Sequence, residues 1–174
     1  MKYFVKFFVV TLTVFICTYA VAEQKVAFLD MTYILNKSKA GEGAQDFLKK
    51  KFKENQKKFA DKEIQLKKEE NDLLQAKASL TKEEYQKKAT DLRKKVASYQ
   101  KERRESLEKL AKQRTDAKAQ LIKKLDPILE SFLSENSISL IVDKKHVVKG
   151  DNQLDITKKI VEKLDKELPS INLN

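Results

Sequence analysis

LLQAKASLTKEEYQKK, residues 73 to 88, decides how this chain folds. It lies inside a longer stretch, Ala44 to Asp126, of 83 residues without glycine or proline, 40 of them charged. That composition, rich in alanine, leucine, lysine, glutamate and glutamine, suits long solvent-exposed helix. As one rod at ~1.5 Å per residue it would reach roughly 125 Å. The quoted segment folds it back. Thr81 and Glu84 have the spacing of a capping box, in which the threonine side chain serves the third helical amide and the glutamate serves the threonine amide. Leu80 and Tyr85 stand where a hydrophobic staple would hold the entering chain. A new helix therefore starts at Thr81, and the stretch 44–126 becomes a hairpin with its tip near 79–81.

The apolar periodicity agrees with that reversal. In the first leg, from about Ala44 to Ala78, Phe52, Phe59, Leu66 and Leu73 recur every seven residues. Leu48, Asn55, Lys62 and Glu69 fill the alternate positions, so the stripe is a narrow, half-polar seam. The second leg supplies Tyr85, Ala89, Leu92, Val96, Tyr99, Leu107, Leu110, Ala117 and Leu121. In an antiparallel pair turning near Ser79, partners have numbers summing to 158 or 159. Leu73 with Tyr85, Leu66 with Leu92, Phe59 with Tyr99, Phe52 with Leu107 and Leu48 with Leu110 all satisfy that sum. Lys62 with Val96, Asn55 with Arg103 and Glu69 with Ala89 satisfy it too, with a polar partner in each. A continuous parallel coiled coil is the competing arrangement, and it leaves the capping box unexplained.

Outside the hairpin the signals change. Lys25 to Asp30 reads as a short strand buried on both sides, and Met31 to Lys37 as one or two helical turns. Gly41 and Gly43 predict a joint before the long helix; Gly43 is followed by Ala44-Gln45, so no phosphate-binding loop is formed. Asp126-Pro127 predicts a kink or a restart. After a break at Asn136-Ser137, Ile138 to Asp143 and His146 to Lys149 read as two strands of a hairpin. Asp155 is expected to cap a last helix with Ile156, Ile160, Val161, Leu164 and Leu168 on one face, stopped by Pro169. The fold class is thus α+β, mostly α: a body from 23–43 and 127–174 carries the helical hairpin. Three short strands bury too little apolar surface to anchor such legs alone. Their open edges call for assembly of several chains, with Val26, Phe28, Leu140, Val142 and Val147 in a shared sheet.

The first 22 residues read as a secretory signal peptide cleaved after Ala22: Lys2 and Lys6, then a short apolar run, then Ala20-Val21-Ala22. The run is too short for a bilayer span, and the bulky Ile16 before Cys17 argues against lipid attachment. Cleavage removes the single cysteine, which excludes disulfides and thiolate metal sites from the remainder. The remaining chain has a net charge of +9, and the hairpin alone carries +10, with 25 basic against 15 acidic residues. The positive charge therefore belongs to the legs.

No catalytic constellation emerges. His146 is the only histidine, without a second ligand for a metal. Acidic pairs such as Glu69-Glu70 and Glu83-Glu84 lie in charge-rich helix and suit solvation or capping rather than acid–base work. The basic runs at Lys49, Lys50, Lys57, Lys58, Lys87, Lys88, Arg93, Lys94, Arg103 and Arg104 are partly a solvated face. Nucleic acid is not an expected partner, because export is expected and no groove-reading or base-stacking motif accompanies the charge. The functional alternative is a diffuse cationic surface for acidic unfolded chains or anionic lipid headgroups, weak per contact and summed over several legs. Phe47, Ile64, Leu74 and Leu80, off the seam, would add scattered apolar contacts.

The pieces KVAFLDM (25–31), SKAGEGAQ (38–45) leading to FKENQKKF (52–59), SLIVDKKHVV (139–148) and LDIT (154–157), in this order around a charged hairpin, are similar to the Skp/OmpH periplasmic chaperones. The resemblance spans essentially the whole chain after residue 22. It implies a homotrimer with a small β-barrel body and three helical tentacles around a cavity. It also implies that unfolded outer-membrane proteins are held there without ATP or any cofactor. Ser137-Ile138 departs from the family pattern, which has a glycine and an aromatic residue there in many members. The competing function is a structural coiled-coil protein of the envelope that binds folded partners or anionic lipid, lipopolysaccharide included.

Overall fold

The computed structural model describes residues 25–173. The expected signal peptide lies outside them. Strand β1 (Lys25–Leu29) leads through Asp30 into helix α1 (Met31–Lys37), and helix α2 (Lys39–Gln75) follows almost at once. A 3-10 turn (Ala76–Ala78) and the tip connect it to helix α3 (Lys82–Asn136). Strand β2 (Ile138–Asp143), two further 3-10 turns and helix α4 (Thr157–Glu167) complete the chain. No helix among these residues is long and apolar enough to cross a membrane.

Helix starts are set by side chains that satisfy otherwise orphaned amides. The Asp30 carboxylate accepts from the Tyr33 amide at 2.8 Å, and the Ser38 hydroxyl accepts from the Gly41 amide at 3.3 Å. Ser38 thus starts α2 five residues ahead of the expected joint, and both glycines lie inside the helix. Gly41 serves close packing. A Cβ there would come within 2.9 Å of the Leu35 carbonyl carbon, and nearer still to its oxygen. At the far end the capping box is complete: Glu84 N–H donates to Thr81 Oγ1 at 3.2 Å, and Thr81 N–H donates to Glu84 Oε2 at 2.9 Å.

Pro127 neither restarts nor ends the second long helix. It deprives the Lys123 carbonyl of its helical partner, yet α3 runs unbroken past it. Leu121, Leu125, Ile128 and Phe132, all buried on one face, hold both sides of the proline against the body. The helix ends at Ser137, whose φ of 52° and ψ of 40° turn the chain by a left-handed residue.

β1 and β2 pair in parallel, with Val26 beside Leu140, Ala27 beside Ile141, Phe28 beside Val142 and Leu29 beside Asp143. Parallel strands need a crossover, and here the entire hairpin is the crossover. The expected strand at His146 to Lys149 is not formed: Lys144–His146 makes a 3-10 turn and Val147 lies beyond it in irregular chain. The Asp143 carboxylate enforces that turn by accepting from the Lys145 amide at 3.2 Å. Val147 therefore does not belong to a sheet in this chain, and the strands number two among the described residues. The other edge of β1 is taken by Asp155 and Ile156, whose amide donates to the Phe28 carbonyl at 3.0 Å. Asp155 accepts from the Thr157 amide at 3.0 Å, and the Thr157 hydroxyl in turn accepts from the Asp30 amide at 2.9 Å, tying α4 to β1. The core gathers Ala27, Leu29, Ile34, Leu121, Leu125, Ile128, Phe132, Ile156, Ile160 and Leu164 beneath the sheet.

Candidate functional site: the hairpin surface and the open sheet

The two legs touch through a seam that is apolar at intervals and ionic between them. Phe59 is buried and meets Tyr99 edge-on, ring centres 5.9 Å apart at 70°. Such a contact adds to plain burial by about 0.5 to 1.5 kcal/mol. Leu48, Leu66, Leu73, Tyr85, Leu92 and Leu110 are half-buried. Phe52, Val96 and Leu107, expected in the seam, are instead exposed at 45%, 36% and 52%. For Leu107 the reason is helical phase. From Tyr99 the half-buried positions run through Glu102, Ser106, Leu110 and Gln113 to buried Ala117, in steps of three and four. Leu107 therefore lies a full residue, ~100°, past the seam.

Polar rungs join the expected seam positions Lys62 and Glu69 to residues that the apolar stripe leaves out. Glu102 binds Lys62 at 2.5 Å and Lys58 at 3.7 Å across the legs. Glu69 binds Lys95 at 2.7 Å, and the Tyr99 hydroxyl donates to Glu63 at 3.5 Å. The carboxyls of Glu102 and Glu69 are lowered from the ordinary glutamate value, each chiefly by the hydrogen bond from its lysine across the seam. Glu63 is lowered as well, first by its neighbour Lys67 along the same helix. The signal for Glu102 was available in sequence as the 3-4 phase continuing from Tyr99, but a search restricted to apolar residues passes over it.

All ten basic residues singled out in sequence lie exposed: Lys49, Lys50, Lys57, Lys58, Lys87, Lys88, Arg93, Lys94, Arg103 and Arg104. Lys58 is committed to Glu102 and Lys94 to Asp91 at 3.8 Å. The remaining eight make no ion pair among the described residues. Ile64 and Leu74 add exposed apolar surface between them, at 67% and 56%. A shallow cleft near the tip, lined by Glu69, Asp72, Leu73, Lys88, Asp91 and Lys95, mixes both charge signs. Among the described residues no cluster of histidine and carboxylate side chains is arranged to hold a metal ion.

At the opposite end, the strand alternation separates two faces of the sheet. Ala27, Leu29 and Ile141 pack inward. Val26 and Leu140, paired in register on the outer face, are 44% and 54% exposed. Phe28, on the same face, is covered from the side, with the Lys144 ammonium 5.9 Å from its ring centre and Val142 beside it half-buried. With β1 bonded on both sides, the open edge belongs to β2.

The family model of outer membrane proteins described as OmpH-like matches residues 25–164. The chain belongs to the OmpH-like family. A Skp-like protein of Pseudomonas aeruginosa is 24% identical over 165 residues, spanning 95% of this chain and 98% of the relative. An OmpH-like protein of Caulobacter crescentus, whose crystal structure is assigned to an outer membrane chaperone, superimposes with a TM-score of 0.79. That match covers 89% of this chain and 92% of the other at 17% identity, a likeness of fold. OmpH-like proteins are chaperones rather than enzymes.

Proposed function

We propose that this OmpH-like chain is a periplasmic holdase that binds unfolded outer-membrane proteins between its helical legs without ATP and prevents their aggregation. The observation that carries the reading is the character of the hairpin surface. Exposed cations lie beside half-exposed Phe52, Ile64, Leu74, Val96 and Leu107 along a hairpin of two long helices. Such a surface offers many weak contacts rather than one complementary site, which is what clients of varied sequence require. Family membership and the outer-membrane association of the structural relative point the same way. A trimer closed through the outer sheet face would array three hairpins around a cavity, with Val26, Phe28, Leu140 and Val142 at the shared interface. Diluting a denatured outer-membrane β-barrel into buffer with stoichiometric protein and no nucleotide tests the proposal: aggregation is suppressed. Unchanged light scattering overturns it. The eight uncommitted cations favour a second reading, adhesion to anionic lipid or lipopolysaccharide by an envelope spacer. Strong binding to anionic vesicles together with no preference for unfolded over folded barrel would select it.

A further inference from the structure

The last described residues do not trail away from the body. Pro169 follows α4, and Leu168 before it has left the helical region, at φ −137° and ψ 77°, as a residue preceding proline tends to. The chain then crosses to the base of the legs, where Leu173 is only 6% exposed. Leu173 packs with Ala44 of α2 and Ala117 of α3, beside Phe47 and Leu48, and Ile171 bridges this cluster to the main core. The Gln113 side-chain amide donates to the Leu173 carbonyl. The segment is thus held by a hydrogen bond to its main chain at Leu173 and by the packing of aliphatic side chains two residues apart. Small alanines, one from each leg, leave the room for it.

We propose that this groove, formed by Ala44, Phe47, Leu48, Gln113 and Ala117, is a peptide-binding subsite that the chain's own tail occupies and that extended client segments take over. Recognition through a main-chain carbonyl and undemanding aliphatic sockets is independent of exact sequence. Ile171-Asn172-Leu173 has the apolar, polar, apolar alternation that marks membrane β-strands. The partner class is therefore an extended segment of alternating apolar and polar residues, and the inference rests on the holdase reading above. The tail lowers apparent client affinity by the fraction of time it fills the groove, which guards an apolar surface when no client is present.

A fluorophore on Asn174→Cys in the chain from residue 23, which has no other cysteine, reports tail release directly. A synthetic peptide alternating leucine and threonine is expected to lower the label's anisotropy saturably, and one alternating serine and threonine to leave it unchanged. A variant ending at Leu168 should bind the leucine peptide about tenfold tighter than the full chain, as removal of a competitor in cis predicts. Gln113→Ala removes the same hydrogen bond from the tail and from the peptide, so it should leave the full chain's affinity nearly unchanged while weakening the peptide on the variant ending at Leu168 about threefold. Anisotropy unmoved by saturating leucine peptide, or equal affinity of the truncated and full chains, overturns the inference. Aggregation suppression by the full chain reports separately on the holdase reading, so either can fail without the other.

Discussion

Ser137 sits at φ 52°, a backbone conformation that costs a residue with a Cβ about 1 to 2 kcal/mol. Its amide closes the end of α3 by donating to the carbonyls of Leu133 and Ser134, which fixes the direction in which β2 leaves the helix. The side chain gains nothing there that would offset the strain. Ser137→Gly should therefore stabilise the body by roughly 0.5 to 1 kcal/mol, the relief being partly offset by the greater freedom of glycine in the unfolded chain. Equilibrium urea unfolding checks this, and a lowered midpoint would show that serine contributes something the backbone geometry does not reveal. Gly41 illustrates the opposite demand: its φ is ordinary, and the carbonyl of Leu35 is what excludes a side chain.

Among the elements, the hairpin depends on electrostatics more than its apolar stripe suggests. The rungs Lys62–Glu102, Lys58–Glu102 and Lys95–Glu69 span the seam where Val96 and Leu107 leave it. With folded-state carboxyls lowered below the ordinary glutamate value, the unfolded chain binds more protons as pH falls. Their stabilisation is full above that ordinary value and is lost as pH drops through the lowered, folded one. The thermal midpoint of the helical signal is expected to fall on acidification below the glutamate range, and Glu102→Gln to flatten part of that fall. Raised salt at neutral pH should reproduce some of the loss, because these groups are exposed and screened. A midpoint independent of both pH and salt would mean that Phe59 and its neighbours hold the legs unaided. The capping box and the seven-residue spacing made the hairpin legible in sequence, since both are local signals. The ionic rungs were hidden because they join residues up to 44 positions apart and appear in sequence as ordinary surface charge. At Pro127 the helix does not restart, because the buried contacts of Leu125 and Ile128 outweigh the missing amide, and only tertiary packing shows that. The strand expected at His146 to Lys149 gave way to a turn set by one carboxylate, Asp143, against a β-rich composition.

At the scale of the whole molecule, the two-stranded sheet poses the largest unsatisfied demand. Two strands expose an apolar face and an unpaired edge, and in isolation such a pair is marginal in water. Here the inner face is secured by the core, so the body folds, while Val26 and Leu140 remain outward with the open edge of β2 beside them. The proposed interface between copies would answer both features at once, a second copy extending the sheet and covering the face. Leu140→Glu isolates that contribution. At 54% exposure the residue contributes little to the fold of a single chain, so the helical signal should stay unchanged. A buried carboxylate without a partner is costly, by several kcal/mol per copy, and the cost is multiplied in a closed ring where each copy contributes the residue. Sedimentation equilibrium of the chain from residue 23 is therefore expected to give a multiple of the single-chain mass for the parent protein and the single-chain mass for Leu140→Glu at the same concentration. Loss of assembly with the helical signal intact should also weaken suppression of barrel aggregation, since one hairpin encloses no cavity. Identical masses for the two proteins would remove the outer sheet face from the assembly, and with it the arrangement of legs around a common client.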